Sequence, residues 1–431
     1  MKNTSIKLRN LVIYQIYVRN FSETGDFQAV IDDLDRIKNL GVDIIYLLPI
    51  HPIGEKNKKG ELGSPYSIKD YMEVSSELGG LTGFKKLIEE AHNKKLKIMM
   101  DIVFNHTSRD SVFLKEHPEW FYRNEKNEIA NRVGDWWDII DLDYSRDKNL
   151  WFELLNTLVY YARMGVDGFR CDVASMVPME FWKLARKQVK KVNPNFIWIS
   201  ESIHGGHCKY MRDQGFACAS EGEIYQEFDI AYDYDIEPYM QSYLNGSSSL
   251  RPYLEGLKRQ DEIYPMNYVK LHNIENHDID RIAKKVNNNL AKIKNWLAFM
   301  FMQKGAVMLY MGQEYATDIK PNLFDKELYP KNEDISEFVT KLAKLKKRKI
   351  FASGIYTVNI PQVDGVGYQV FSNDIEEIHG IFNVGLTEGN LKVNLPDGKY
   401  HNYLDNKSIK VEAGLVKLGQ EPIIVKIKNN Q

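Results

Sequence analysis

Three carboxylates close runs of apolar residues in this 431-residue chain: Asp172 ends GVDGFRCD, Glu201 ends FIWISE and Asp278 ends YVKLHNIENHD. A strand that aims its final carboxylate into a cleft spends desolvation energy without gaining packing. Three strands doing so suggest acid–base or carbocation chemistry. Arg170 stands two residues before Asp172 and projects to the same side of a strand. Its guanidinium would keep Asp172 ionised, as a nucleophile requires. Ile197, Trp198 and Ile199 precede Glu201, and partial desolvation there would raise its pKa toward that of a general acid. One ionised and one protonated carboxyl on neighbouring strands suits retaining glycoside hydrolysis, in which the pair stands about 5–5.5 Å apart. Asp278 would be a third carboxylate, stabilising an oxocarbenium-like transition state. Taken singly, each residue reads more simply as a salt bridge, a cap or a hydrogen-bonded core group. Their joint placement favours chemistry.

The elements that must position them recur with a regular step. Strand-like runs finish near Val18, Leu48, Phe104, Asp172, Glu201, Asp233, Glu275 and Tyr310, and several of these steps are about 30 residues, the size of one strand plus its crossover helix. Segments 27–39, 83–93 and 149–163 repeat apolar residues at helical intervals. Alternating strands and helices predict an α/β chain built on a (β/α)8 barrel over residues 1–349, whose chemistry sits at the C-terminal strand ends. Two steps are longer. One leaves a loop over 51–71, and the other an insertion after strand three, 105–145, that carries Trp120, Trp136 and Trp137. The insertion is too short for its own core and is expected to wall the cleft, with Trp137 as a candidate sugar contact. Residues 350–431 change to short alternating runs separated by turn signals, which predicts a C-terminal antiparallel β-sandwich.

The segment from Asp101 to His106, the stretch Gly168-Phe-Arg170-Cys-Asp172, Glu201, and Asn276-His277-Asp278 resemble, in order, the four signature regions of the α-amylase family of glycoside hydrolases. The resemblance implies Asp172 as nucleophile, Glu201 as acid/base and Asp278 as transition-state stabiliser. It implies that Arg170 orients Asp172, that His106 and His277 bond sugar hydroxyls, that Tyr66 stacks on the sugar, and that Arg281 is a sugar-site arginine. Asp101 and Asn105 look structural. Ser175 and Met176 stand where many endo-acting, calcium-dependent members carry Lys-His. The DVA…FW stretch and His204, a further candidate substrate contact, are more similar to neopullulanase, cyclodextrinase and maltogenic amylase sequences, without the N-terminal domain many of those carry. The expected activity is hydrolysis of α-1,4 bonds, with α-1,6 bonds also open, in maltodextrins, starch or glycogen fragments. A glucanotransferase with the same carboxylates is the alternative. A non-catalytic sugar-binding barrel is a third reading, disfavoured because all three carboxylates are present.

Composition narrows the partners. A net charge of −2 offers no pull on nucleic acid or an anionic membrane. No apolar run is long enough to span a bilayer, and MKNTSIKLRN lacks the apolar core of a signal peptide. With three cysteines outside metal-ligand spacing, a cytoplasmic enzyme is expected. The chemistry requires no cofactor. The acidic stretch from Asp141 to Asp147 has Arg146 where a calcium loop needs glycine, and His204, His207 and Cys208 lack a fourth zinc ligand. A structural calcium held by Asn105 and the insertion is compatible with the resemblance. No feature speaks to the oligomeric state.

Overall fold

The computed structural model describes residues 4–429. Eight parallel strands close a barrel: β1 (Val12–Ile16), β2 (Ile44–Leu47), β3 (Lys97–Ile102), β4 (Gly168–Cys171), β5 (Ile197–Ser200), β6 (Ile230–Tyr232), β7 (Lys270–His272) and β8 (Gly305–Tyr310). The order around the barrel is β1-β8-β7-β6-β5-β4-β3-β2. Side chains alternate between two cores, as a period of two demands. Ile13, Tyr46, Met99, Ile197, Ile199, Ile230 and Leu271 fill the interior, whereas Val12, Tyr14, Ile45, Phe169 and Trp198 pack outward against the helices.

The crossover before β4 shows how local sequence sets the site. Asp147 caps the helix Lys148–Met164 by accepting from the Asn149 N–H, and Gly165 ends it at φ 109°. Leu150, Leu154, Leu158 and Tyr161 bury one face of that helix. At Gly168, the first residue of β4, a Cβ would lie 2.6 Å from Met99 Cε and 2.7 Å from the Ile197 carbonyl oxygen, so only glycine fits.

After β3, the strand His106–Ser108 pairs antiparallel with Ile139–Asp141 and roots the inserted segment on the barrel, with His106 opposite Asp141. Beyond the barrel lie two four-stranded antiparallel sheets. One contains β9 (Ile355–Asn359), β10 (Val366–Ser372), β11 (Glu376–Asn383) and β16 (Ile423–Lys428). The other contains β12 (Asn390–Lys392), β13 (Gly398–His401), β14 (Ser408–Glu412) and β15 (Leu415–Lys417). Val366, Ile381, Leu391, Val411, Val416 and Val425 form the layer between them. The helix Leu290–Phe301 joins the two parts: Phe299 stacks on Phe382 with ring centroids 5.3 Å apart.

One expectation about the strands needs correction. The run 268–278 reads as strand to its end, yet β7 stops at His272 and Asp278 lies in the following loop. The Asn276 side-chain oxygen accepts from the N–H groups of Asp278 and Ile279, each at 2.8 Å. This local bond competes with the strand ladder and turns the chain.

Candidate active site

Asp172 and Glu201 each follow directly on the last residue of a barrel strand, β4 and β5, so adjacent strands bring them to the same rim. Between them lies Arg170, fully buried. Its Nη1 lies 2.9 Å from Asp172 Oδ1 and its Nη2 2.9 Å from Glu201 Oε2. Nη1 also meets Asp101 on β3 at 2.8 Å. The expected dedicated pairing of Arg170 with Asp172 is therefore too narrow, because the guanidinium serves three carboxylates at once.

Electrostatics differ from expectation as well. Burial, followed by the nearby Glu201 carboxylate, raises the Asp172 carboxyl well above the ordinary range despite Arg170. Burial and a neighbouring carboxylate both disfavour the charged form, and Arg170 offsets them only in part. Glu201 Oε2 accepts the Val173 N–H at 2.9 Å, and Oε1 lies 3.4 Å from the Tyr234 hydroxyl. Val173 holds φ 34°, a costly backbone for a β-branched residue, and that geometry directs its N–H at Glu201.

Asp278 reaches the rim from the opposite side, its side chain half exposed. Burial works to raise its pKa, but His277, Arg170 and Lys320 outweigh it and hold the carboxyl down at about 2. His277 Nε2 lies 3.0 Å from Asp278 Oδ2 and 2.7 Å from the Tyr66 hydroxyl, while Gln15 Nε2 donates to His277 Nδ1 at 3.0 Å. The Tyr66 hydroxyl donates to Asp101 at 3.0 Å, as does Tyr46 at 2.6 Å. His106 is buried, and desolvation lowers its pKa to about 4, so it is neutral near pH 7. Asn105 Nδ2 lies 3.2 Å from His106 Nδ1.

These groups line one cavity of about 220 Å³ that contains Tyr66, His106, Asp172, Glu201, His277 and Asp278. Its walls add Lys59, Ser64, Trp136, Asp138, Leu323 and Phe324. Trp136, not Trp137, is the tryptophan at the cavity; Trp137 is 55% exposed and carries Lys59 over its ring. The two indoles are chain neighbours, and sequence alone does not say which turns inward. Lys59 and Asp138 form an ion pair at 3.0 Å across one wall. Neither was legible beforehand, although Asp138 lies in the insertion expected to wall the cleft and Lys59 in the long 51–71 loop. Phe324 comes from the loop after β8, which carried no signal at all.

Two further candidates stand apart from the cavity. Arg281 is buried and spends its donors on the protein: Glu275 at 2.7 Å, the Met311 carbonyl at 2.9 Å and the Ile319 carbonyl at 3.0 Å. It braces the loop that carries Asp278 and does not line the cavity. His204 stacks on Tyr234 at 4.6 Å and lines a neighbouring cavity of about 610 Å³ on the Glu201 side.

The surroundings of Asn105 do not suit a metal ion. Its amide Nδ2 points at Asp141 Oδ1 at 3.4 Å, and its backbone carbonyl accepts the Leu142 N–H at 2.9 Å. The other Asp141 oxygen and the Leu142 carbonyl face the Arg132 guanidinium at 3.2 and 3.3 Å. Donors occupy the positions where a cation would need acceptors.

Residues 15–352 match the alpha amylase catalytic domain, and residues 361–425 match the bacterial alpha amylase C-terminal domain. An alpha-amylase from Lactobacillus plantarum is 39% identical and superposes with a TM-score of 0.94 over 98% of this chain and 100% of that one. A maltogenic alpha-amylase from Thermotoga neapolitana is 32% identical, with a TM-score of 0.87 over 98% of this chain and 100% of that one. The intracellular maltogenic amylase of Bacillus subtilis is 27% identical over 354 residues, 75% of this chain and 55% of that protein. The chain spans about half the length, or less, of the curated relatives it matches first.

Proposed function

Because the chain belongs to the α-amylase family of glycoside hydrolases, we propose that it hydrolyses α-1,4-glucosidic bonds of maltodextrins and of starch or glycogen fragments with retention, and α-1,6 bonds secondarily. The observation that carries the proposal is the single guanidinium, Arg170, touching Asp172 and Glu201 at 2.9 Å each. It sets two carboxyls side by side on one rim. The retaining reaction requires a proton on Glu201 and a carboxylate at Asp172. Asp172 attacks the anomeric carbon while Glu201 gives its proton to the departing oxygen, and the glycosidic C–O bond breaks. Glu201, now ionised, takes a proton from water, and the water oxygen displaces Asp172. Asp278, held anionic, faces the positive charge that develops on the ring. Neutral His106 bonds a sugar hydroxyl, as does His277, and Tyr66 offers its ring as a platform.

Lys59, Trp136 and Phe324 wall a cavity of only about 220 Å³, which favours short oligosaccharides over long chains. The cavity beside His204 and Tyr234 lies on the Glu201 side, where the leaving portion of the substrate belongs. Among the described residues no helix is long and apolar enough to cross a membrane. The three cysteines are unpaired and buried, and together with the intracellular relative they support a cytoplasmic setting.

The test separates the two half-reactions. An α-glucosyl fluoride needs little protonation of its leaving group, so Glu201→Gln should still form the covalent intermediate and then stall. Intact-protein mass spectrometry should show one hexose, and peptide mapping should place it on Asp172. A hexose on Asp278, or full turnover by Asp172→Asn, would overturn the assignment. Longer oligosaccharides as the main products from concentrated maltotriose would instead make the chain a glucanotransferase.

A further inference from the structure

Arg132, in the inserted segment, is a charged side chain in a built setting rather than on an open surface. Its side chain is 14% exposed and that of its partner Asp141 is fully buried. The guanidinium lies over the rings of Tyr122 at 4.6 Å and Phe216 at 5.4 Å, so it is packed by aromatic faces. Nη1 lies 3.2 Å from Asp141 Oδ2, and Nη1 and Nη2 each lie 3.3 Å from the Leu142 carbonyl oxygen. The Arg132 backbone N–H adds a bond to the same Asp141 oxygen at 2.8 Å. The other Asp141 oxygen faces Asn105 Nδ2, and that nitrogen in turn faces His106 Nδ1.

We propose that the Arg132 guanidinium is the resident cation of this loop, taking the electrostatic place of a structural calcium, and that through Asp141 and Asn105 it fixes the ring tautomer of His106 at the cavity. The relay has a direction. Arg132 keeps Asp141 an acceptor, and an acceptor there turns the Asn105 amide so that its NH2 points inward. That NH2 donates to His106 Nδ1, which leaves the proton of the neutral ring on Nε2, free to be offered to a sugar hydroxyl. A metal at the same spot would pull the amide oxygen inward instead and leave His106 Nδ1 without this donor. Arg132 is thus a positioning residue, separated from the substrate by Asp141, Asn105 and His106. Its planar fork spans a carboxylate and a carbonyl at once, which a point charge does not reproduce.

The inference rests on the proposed sugar contact of His106, but its first readout does not. In the wild-type protein, 15N NMR of the imidazole rings should show His106 neutral with the proton on Nε2, and Arg132→Ala should lose that pattern. In activity, Arg132→Ala should lower kcat/KM on maltotriose by about tenfold or more. Guanidinium chloride at about 50 mM should restore part of both signals where equal sodium chloride does not. Chelator and added calcium should leave the wild-type melting temperature and rate unchanged. Should Arg132→Ala not fold, Arg132→Lys carries the comparison, since its single ammonium reaches only one of the two acceptors. A wild-type enzyme that loses stability in chelator and regains it with calcium would overturn the proposal. So would an Arg132→Ala protein whose His106 tautomer is unchanged. An altered tautomer with unaltered activity would keep the relay and remove the sugar contact of His106 instead.

Discussion

The Tyr66 hydroxyl lies 2.7 Å from His277 Nε2, and the two rings stack with centroids 5.4 Å apart. One hydroxyl thereby links His277 to Asp101, the carboxylate that also anchors Arg170. The loops after β2 and β7 are locked together at the point where the sugar is to be held. Tyr66→Phe keeps the ring and removes the link. We expect kcat/KM on maltotriose to fall about 10- to 100-fold, or ~1.4–2.7 kcal/mol of transition-state stabilisation, with the melting temperature nearly unchanged. Steady-state kinetics beside a thermal melt checks both.

Arg170→Lys should be severe although it conserves charge. A lysine presents one ammonium where Asp101, Asp172 and Glu201 now share a fork. At least one buried carboxylate would lose its partner, at a cost of about 3–5 kcal/mol. Activity should drop at least about a hundredfold. Urea denaturation and turnover on maltotetraose measure the two losses, and near-wild-type values for both would mean that Arg170 does not organise the carboxylates.

Asp172 contributes stability with an unusual sign. Its folded pKa is raised above the ordinary 3.8, so the folded state binds more protons than the unfolded one above that pH. Stability associated with Asp172 therefore falls as the pH climbs from 3.8 through the raised value. Asp172→Asn removes the penalty. Its melting temperature should exceed the wild type by about 2–4 °C at pH 7, with the gain vanishing near pH 4. Paired melts across that range test it; a variant less stable at pH 7 would contradict the reading.

Lys346 is a buried amine far from the chemistry. It is fully buried and donates to the Gln303 carbonyl at 2.6 Å, and desolvation, reinforced by Lys347 and Arg9, depresses its pKa well below the ordinary 10.5. Here the unfolded state binds the extra proton, so wild-type stability rises with pH toward 10.5. Lys346→Met should raise the melting temperature at pH 7, offset by about 1 kcal/mol for the lost bond to Gln303. The advantage should shrink as the pH climbs toward 10.5 and vanish only above it, where the unfolded chain no longer takes up the extra proton.

Much of the barrel was legible because its signals are local. The helical face of Leu150, Leu154 and Leu158 and apolar strands at regular steps all act within one element. Asp172 and Glu201 could be placed for the same reason, since each is the next residue after a strand. Asp278 was placed on the right rim for the wrong local cause: the Asn276 turn, not a strand end, presents it.

By itself, the sequence determined the fold class, the three carboxylates and the family signature, because period and spacing are written along the chain. Only the tertiary structure decided which neighbours share a charge. Arg170 answers to Asp101 and Glu201 as well as Asp172, Arg281 turns away to brace a loop, and Trp136 rather than Trp137 faces the cavity. Arg132 reaches Asp141 across a fold of the insertion that no periodicity announces. Coulomb and desolvation energies depend on distances of a few ångströms between residues far apart in the chain. Those distances exist only once the barrel has closed.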